Sequence, residues 1–310
     1  MSWKPERKVQ LVAGTPPGGG LDRVARALEK AITAGKLIDV PVEVVNVPGD
    51  GARRCWTDFV DRYPGDGHVL GISSPNLTSD YLAGIASFEH SRYTPIATLV
   101  TEYIAFAVAT DSGLKTGADL LARLGSAPRQ DSSQVTVALS TALGNPNHVA
   151  LARLTRQAGG DINAPTIRVF DTALDAVADV IAGRSGVCAV TAASVLAELK
   201  AGRVRLLAIT APARLSGAFA QAPTWKEQGA DCVIGAWRGV TGPAGLVPEQ
   251  INYWANILTA ATQQPVWHDD LARLSWSPQS QTGAALEAYL AKERAEFVAV
   301  LGELGLLKNK

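Results

Sequence analysis

Cysteine and methionine are scarce in this chain of 310 residues, which holds three cysteines and one methionine. The cysteines, Cys55, Cys188 and Cys232, are widely spaced and form no C-x-x-C pair, so zinc and thioredoxin-type sites are not expected. Cys188 and Cys232 each lie in an apolar run, where a thiol usually acts as a small buried hydrophobe. A disulfide between them is compatible with the sequence but is not required by it.

Net charge and long apolar runs are also absent. The 29 basic side chains are balanced by 29 acidic ones, so no long-range attraction draws the chain to nucleic acid, and we expect a small-molecule partner instead. No segment approaches the roughly 20 apolar residues of a membrane span, and the first residues lack the apolar core of a signal peptide. The residues alone therefore leave two alternatives: a cytoplasmic protein, or one whose leader is missing from this sequence.

The motifs of several common enzyme classes do not occur. There is no G-x-G-x-x-G or G-x-x-x-x-G-K-[ST] loop for nucleotides, no G-x-S-x-G elbow and no H-E-x-x-H zinc motif. The four histidines, His68, His90, His148 and His268, are scattered. We expect no metal and no cofactor, although a hydrolase or isomerase of small acids remains an alternative because glycine-rich turns also bind phosphates.

Short apolar runs alternate with segments of helical periodicity along most of the chain. Strands separated by helices of this length predict an α/β fold of parallel sheets with right-handed crossovers, and ligands bind at the edge where such strands end. The length suggests about two domains. The expected strands are residues 9–13, 42–45, 68–73, 104–109, 135–139, 166–170, 187–190 and 206–210.

Two turns rich in glycine or asparagine each lead from a strand into a helix. Helix N-termini carry N–H groups without intrahelical partners and hold anions without a lysine or a metal. Facing each other, the two turns would form a carboxylate clamp. The expected contacts are Thr15, Pro17, Gly18, Gly19 and Asp22 in the first turn and Ser140, Thr141, Asn145, Asn147 and His148 in the second.

Other interpretations of these residues stay open. The glycines after Pro17 are compatible with a purely structural tight turn, and Asp22 with a helix cap that never touches ligand. His148 is either a structural histidine, an anion contact or, least of all, a catalytic group. Polar side chains at the ends of the other strands complete the candidate set: Ser73, Ser74, Asn76, Asp171, Thr172, Thr191 and Arg238.

Near the C-terminus, apolar residues recur at three- and four-residue steps with one charged exception, Glu293, which predicts an amphipathic helix. We expect this helix to pack on its own domain and the protein to be a monomer. A dimer seam is the alternative.

Several blocks occur in an order that resembles the substrate-binding receptors of tripartite tricarboxylate transporters, also called Bug receptors. The likeness covers essentially the whole chain. The blocks are Trp3-Lys4-Pro5, Pro17-Gly18-Gly19-Gly20-Leu21-Asp22, Val45-Asn46-Val47-Pro48-Gly49, Pro64-Gly65-Asp66-Gly67-His68, Tyr93-Thr94-Pro95-Ile96-Ala97, Pro223-Thr224-Trp225-Lys226-Glu227 and Trp237-Arg238-Gly239-Val240.

The resemblance implies a periplasmic solute receptor with a two-lobed, type II periplasmic-binding-protein (Venus-flytrap) fold, in which two crossing strands join two doubly wound sheets. It places residues 1–104 and 237–310 in one discontinuous lobe, residues 105–236 in the other, and the ligand cleft between them. Main-chain amides of the two turns would hold a small organic carboxylate, a di- or tricarboxylate above all, for delivery to two membrane subunits. A ligand-sensing domain for a signalling partner is the alternative on the same fold.

Overall fold

The structure is a computed structural model that describes residues 3–87, 92–126 and 135–309. Its strands are β1 (Val9–Ala13), β2 (Val42–Asn46), β3 (Val69–Ser73), β4 (Tyr93–Ala109), β5 (Thr136–Ser140), β6 (Thr166–Phe170), β7 (Val187–Thr191), β8 (Val204–Ile209), β9 (Gly235–Pro243) and β10 (Ser277–Thr282). Its α-helices are α1 (Gly20–Ala34), α2 (Arg53–Arg62), α3 (Asn76–Leu82), α4 (Gly117–Leu124), α5 (Pro146–Gln157), α6 (Ala173–Ile181), α7 (Ala192–Lys200), α8 (Pro248–Thr262), α9 (Pro265–Leu274) and α10 (Gly283–Glu303).

The chain divides into two compact units. The first comprises Met1–Thr101, Trp237–Ala299 and Leu307–Lys310, and the second comprises Glu102–Ala236 and Val300–Leu306. The end of α10 thus groups with the second unit, whereas the sequence assigned it to the first lobe. Among the described residues, the helices are all too short or too polar to cross a membrane.

In the first unit the sheet order is β2-β1-β3-β9-β4, and β10 pairs with β4. β1 runs parallel to β2 and β3, so these three strands end at the same edge of the sheet. β1 is almost wholly apolar and buried, as expected of a central parallel strand. Helix α1 follows it and buries residues at three- and four-residue spacing, among them Val24, Leu28 and Ile32.

In the second unit β5 lies between β6 and β7 and is parallel to both. Residues of β4 from Ile104 onward pair antiparallel with β7 and β8. The core on one side of this sheet is built around Phe106 and Trp225, whose rings meet edge to face with centroids 5.1 Å apart. Such aromatic pairs add packing energy beyond the area they bury.

Among the strands listed from the sequence, the expectation of parallel pairing is wrong for β4 and β8, and the two further strands β9 and β10 are antiparallel as well. β9 is antiparallel to β3, β10 is antiparallel to β4, and both β4 and β8 are antiparallel to their partners in the second unit. β4 is also 17 residues long and begins at Tyr93, well before the expected start at Ile104. Residues 127–133 form the most polar stretch of the sequence, which predicts an exposed loop, but they lie outside the described residues.

The structure shows the state of the three cysteines. Cys55, Cys188 and Cys232 are buried free thiols, so Cys188 and Cys232 form no disulfide. Burial raises the pKa of each thiol to about 12, which keeps it protonated and unreactive.

Candidate functional site

The first turn joins β1 to α1 and is held by its own side chains. Gly18 adopts the left-handed conformation (φ 82°), which glycine adopts without strain. The Gly18 N–H donates to Asp22 Oδ2 at 2.8 Å, and the Asp22 N–H donates to Thr15 Oγ1 at 3.1 Å. The Gly19 N–H donates to the Pro16 carbonyl at 2.9 Å. Three of the turn's N–H groups are therefore occupied within the turn.

Asp22 is the anchor of this arrangement. Its side chain is buried and accepts hydrogen bonds from Asn46 Nδ2 at 2.9 Å and Arg26 Nε at 3.0 Å. Burial alone would raise the pKa of this carboxyl, but the bonds from Arg26, Asn46 and the Gly18 N–H outweigh it and hold the pKa below its usual range. Asp22 is thus an ionised structural residue whose oxygens are already in use.

Two N–H groups at the start of α1 remain available. Gly20 and Leu21 occupy the first two helical positions, and their N–H groups donate to no atom of the described part of the chain. These are the orphan donors that every helix N-terminus presents. An anion at this turn would meet Gly20 and Leu21, while Thr15, Pro17, Gly18 and Gly19 shape the loop around it.

The other candidates of the first unit lie at the same sheet edge. β1 and β3 are parallel, with Val12 opposite Gly71, so the segment after Ser73 follows the same edge as the first turn. Ser73 and Ser74 are buried, and Ser73 Oγ accepts a hydrogen bond from Thr241 at 3.1 Å. Asn76 begins α3 and is partly exposed.

Arg238 is buried in β9, next to Gly239, which is opposite Ser73. Its Nη1 donates to the Trp237 carbonyl at 3.4 Å.

The second turn joins β5 to α5 and is built on a helix cap. Asn145 Oδ1 accepts the His148 N–H at 3.1 Å, and Asn145 Nδ2 donates to the Ser140 carbonyl at 2.7 Å and to Thr141 Oγ1 at 2.8 Å. Asn147 Nδ2 donates to Ser140 Oγ at 3.2 Å. Pro146 occupies the first helical position, where a missing N–H costs nothing. An asparagine directly before a proline predicts a helix N-cap with proline in the first helical position, and the structure confirms this for Asn145.

His148 is neutral at physiological pH. It is buried, its Nδ1 accepts the Gly144 N–H at 3.0 Å, and burial lowers its pKa to about 4. The backbone donor at Nδ1 places the ring proton on Nε2. His148 therefore supplies no positive charge for an anion and acts as a brace for the turn.

Asn145 and Asn147 offer the second turn's open amides. Their backbone N–H groups have no hydrogen-bond partner among the residues that the structure describes. Thr141 is in the left-handed conformation (φ 72°), and its N–H donates to the Phe170 carbonyl at 2.7 Å, which ties the turn to the neighbouring strand β6. Such backbone strain in a non-glycine residue is concentrated at functional sites.

Two of the three remaining candidates of the second unit, Thr172 and Thr191, have structural partners. β6, β5 and β7 are parallel neighbours, so Asp171, Ser140 and Thr191 lie at one sheet edge, as expected. Thr172 caps α6: its Oγ1 accepts the Asp175 N–H at 3.1 Å. Thr191 is buried and shares a hydrogen bond with Ser194, while Asp171 is exposed.

Comparison with known proteins identifies the family. The model of the tripartite tricarboxylate transporter family receptor (TctC) matches residues 24–306. The chain belongs to the TctC receptor family. TctC proteins are receptors rather than enzymes, so the hydrolase or isomerase alternative is dropped.

A curated relative of this TctC chain is a UPF0065 protein encoded in the tcbD–tcbE intergenic region of Pseudomonas sp. strain P51, 29% identical over 183 residues. The match covers 58% of this chain, and the chain spans about half the length of that relative, 51% of it.

Solved structures share the fold over nearly the full length. A TctC solute-binding protein from Polaromonas is 25% identical with a TM-score of 0.68, covering 97% of this chain and 99% of that one. MatC from Rhodopseudomonas palustris with bound malate is 20% identical (TM-score 0.78; 96% and 100% covered). An R. palustris protein with adipate is 19% identical (TM-score 0.84; 97% and 98% covered). The α/β fold of this TctC chain is thus the type II periplasmic-binding-protein fold.

The sequence motifs missed two residues that organise the first turn. Asn46, the last residue of β2, donates to the Thr15 carbonyl at 2.8 Å as well as to Asp22, and Arg26 pairs with Asp22. Asn46 ends a strand parallel to β1, so the rule that selected Ser73 and Thr191 would also have selected it. Among the described residues, no cluster of His, Cys, Asp or Glu could hold a metal ion.

Proposed function

We propose that this chain is a periplasmic receptor that binds a small organic carboxylate for a tripartite tricarboxylate transporter. The observation that carries the proposal is the pair of open helix N-termini, at Gly20 and Leu21 in the first unit and at Asn145 and Asn147 in the second, in a chain of the TctC family. The bound malate and adipate of the two R. palustris proteins indicate the class of ligand. Two membrane subunits of the transporter are the partners we propose.

Backbone amides suit this task because they bind anions without a counter-charge. Each charge-assisted hydrogen bond contributes about 1.5 to 3 kcal/mol, so three or four of them reach roughly micromolar affinity. His148 is neutral, Arg26 is paired with Asp22, and Arg23, the other cation of the first turn, donates from Nη1 to the Gly18 carbonyl at 2.7 Å. We therefore propose dipoles and amides, rather than a cationic side chain, as the source of affinity at these turns.

The sharpest test removes one open N–H and leaves the fold unchanged. Gly20 is the first residue of α1, and its N–H makes no intrahelical bond. The residue before it, Gly19, is extended (φ −72°, ψ 168°). Proline is favoured at this position and an extended residue is suited to precede it, so Gly20→Pro deletes the donor at little cost. The matched control is Gly20→Ala, which keeps the N–H.

Titration calorimetry with malate, adipate and citrate gives the readout. We expect at least one of these acids to bind the wild type, and Gly20→Pro to weaken it by about 10- to 100-fold, the loss of one charge-assisted bond. Gly20→Ala should stay within about threefold of wild type. Binding that Gly20→Pro leaves unchanged would contradict the role of this amide, and a wild type that binds none of the acids would contradict the proposed ligand class.

A further inference from the structure

A cavity of about 290 Å³ lies wholly within the first unit. Its walls come from β3, β4, β9, α3 and α10, and the two glycine and asparagine turns do not line it. Most of the lining is apolar, with Leu77, Val240, Leu290 and the indole of Trp237 among the wall residues. The volume is at the lower end of the roughly 300 to 1,000 Å³ typical of ligand pockets, which indicates a small molecule rather than a polymer.

One cation in this wall has no counter-ion among the residues that the structure describes. Arg294 lines the cavity and is partly buried, and it forms no ion pair or hydrogen bond with any residue in the described ranges. Partly buried charges normally have partners, because desolvation of an unpaired guanidinium is costly. A planar guanidinium at an apolar cavity is the arrangement that binds a carboxylate bidentately.

Among the lining residues that the structure describes, one is acidic, and its charge disfavours a ligand with a second carboxylate. Glu287 lies seven residues before Arg294 on α10, two helical turns or roughly 10 Å along the axis, and the two do not pair. A ligand bound through Arg294 with a second carboxylate at the far end would meet the like charge of Glu287. A ligand with one carboxylate and an apolar remainder would not be repelled by Glu287.

We infer that this cavity is a binding site for a small monocarboxylate with an aromatic or branched aliphatic body. The carboxylate pairs with Arg294, and the body packs against Leu290, Val240 and Trp237. The site goes beyond the proposed function because it uses a side-chain cation and apolar walls, whereas the two turns use backbone amides. Ser73 is the one sequence-selected residue that also lines the cavity.

The test uses benzoate as the probe and benzamide as its uncharged isostere, both titrated into the whole protein by calorimetry. Arg294→Gln removes the cation, with Lys292→Gln, an exposed lysine on the same helix outside the cavity wall, as its matched control. Ala291→Phe places a ring in the cavity from an exposed position of its wall, and Ala285→Phe adds the same ring at an exposed position outside it. Thermal unfolding checks that all four variants fold.

We expect benzoate to bind the wild type, and both Arg294→Gln and Ala291→Phe to weaken it by about tenfold or more. The two controls should stay within about twofold, and benzamide should bind about tenfold more weakly than benzoate. The inference is overturned if the wild type does not bind benzoate, if either cavity variant binds it as the wild type does, or if benzamide binds equally well. A wild type that binds malate, adipate or citrate but not benzoate contradicts this site alone, and a wild type that binds benzoate but none of those acids contradicts the proposed function alone.

Discussion

Asp22 accepts the backbone N–H of Gly18 at 2.8 Å, so the first turn carries an anion of its own before any ligand arrives. The carboxylate sits just inside the helix start and bonds backward to the loop, with Asn46 and Arg26 as its other partners. A glycine-rich turn that appears open in sequence is therefore partly filled from within.

Replacing Asp22 by asparagine should lower the free energy of unfolding by about 2 to 3 kcal/mol, because Arg26 loses its ion-pair partner and one of the buried acceptors becomes a donor. Urea denaturation measures the change. Arg26→Gln is the control and should cost about 1 kcal/mol or less, since the Arg26 side chain is half exposed. Equal costs for the two variants would contradict the anchoring role of Asp22.

The ionised Asp22 also predicts how the stability of the protein depends on pH. The folded-state pKa of Asp22 lies below the ordinary value of 3.8. Its ionised form therefore stabilises the fold above the ordinary pKa, and that stabilisation is lost as the pH falls through the folded value. The stability difference between wild type and Asp22→Asn should be constant from pH 6 to 8 and shrink below about pH 4.

His148 should lower the stability of the protein in acid over a higher pH range than Asp22 does. Its pKa falls from 6.5 to about 4 on folding, so the unfolded chain binds a proton between these values and the folded chain does not. Stability should thus fall as the pH drops from 6.5 toward 4, by about 3 kcal/mol in total. His148→Asn keeps an acceptor for the Gly144 N–H without titrating. If the denaturation midpoints of wild type and His148→Asn change equally with pH between 6.5 and 4, the lowered pKa of His148 is contradicted.

Gly144 should tolerate alanine poorly. It has a φ of 84°, and a Cβ built there would lie 2.6 Å from Leu301 Cδ2, so Gly144→Ala combines backbone strain with a steric clash. We expect a loss of about 2 to 4 kcal/mol in unfolding free energy. The control is Gly159→Ala, because Gly159 has a φ of 79° but a Cβ there would meet no other described residue within 4 Å. This variant has the backbone strain without the clash and should lose only about 1 to 2 kcal/mol in unfolding free energy.

Glu293 predicts a pH effect of the opposite sign. Its Oε1 accepts the Trp237 indole N–H at 2.7 Å, its Oε2 has no partner in the described part of the chain, and burial raises its pKa from 4.5 to about 7. A raised acid pKa costs stability as the pH rises from 4.5 to 7. Glu293→Gln keeps the acceptor for Trp237 and should be more stable than wild type at pH 8 by about 1 to 3 kcal/mol, with the gain vanishing near pH 4. A constant difference across this range in urea denaturation would exclude the raised pKa.

Local patterns predicted the elements well, because helix and strand periodicity is written in neighbouring residues. Strands β1 and β6 have the bounds expected from the sequence, 9–13 and 166–170. β10 was missed because its sequence, Ser-Pro-Gln-Ser-Gln-Thr, has no apolar alternation and becomes a strand only through pairing with β4. Strand direction was mistaken for the same reason, since pairing depends on distant parts of the chain.

The sheet edges at which the candidate residues lie were predictable from the sequence, but the contacts of their side chains were not. The sheet-edge rule located the segments after β1, β3 and β5 correctly, because parallel strands end together. It could not show that Asp22 would bind the Gly18 N–H, or that His148 would be neutral. Both depend on side-chain direction and burial, which neighbours distant in sequence decide.

Asn46 tethers the Thr15 carbonyl and the Asp22 carboxylate at once, and this double attachment bears on kinetics. A loop already fixed in shape has little ordering entropy to lose if an anion binds at Gly20 and Leu21, as we propose. The association rate at this turn should then be limited by diffusion and by desolvation of the anion. The dissociation rate should depend on how many amide hydrogen bonds must break.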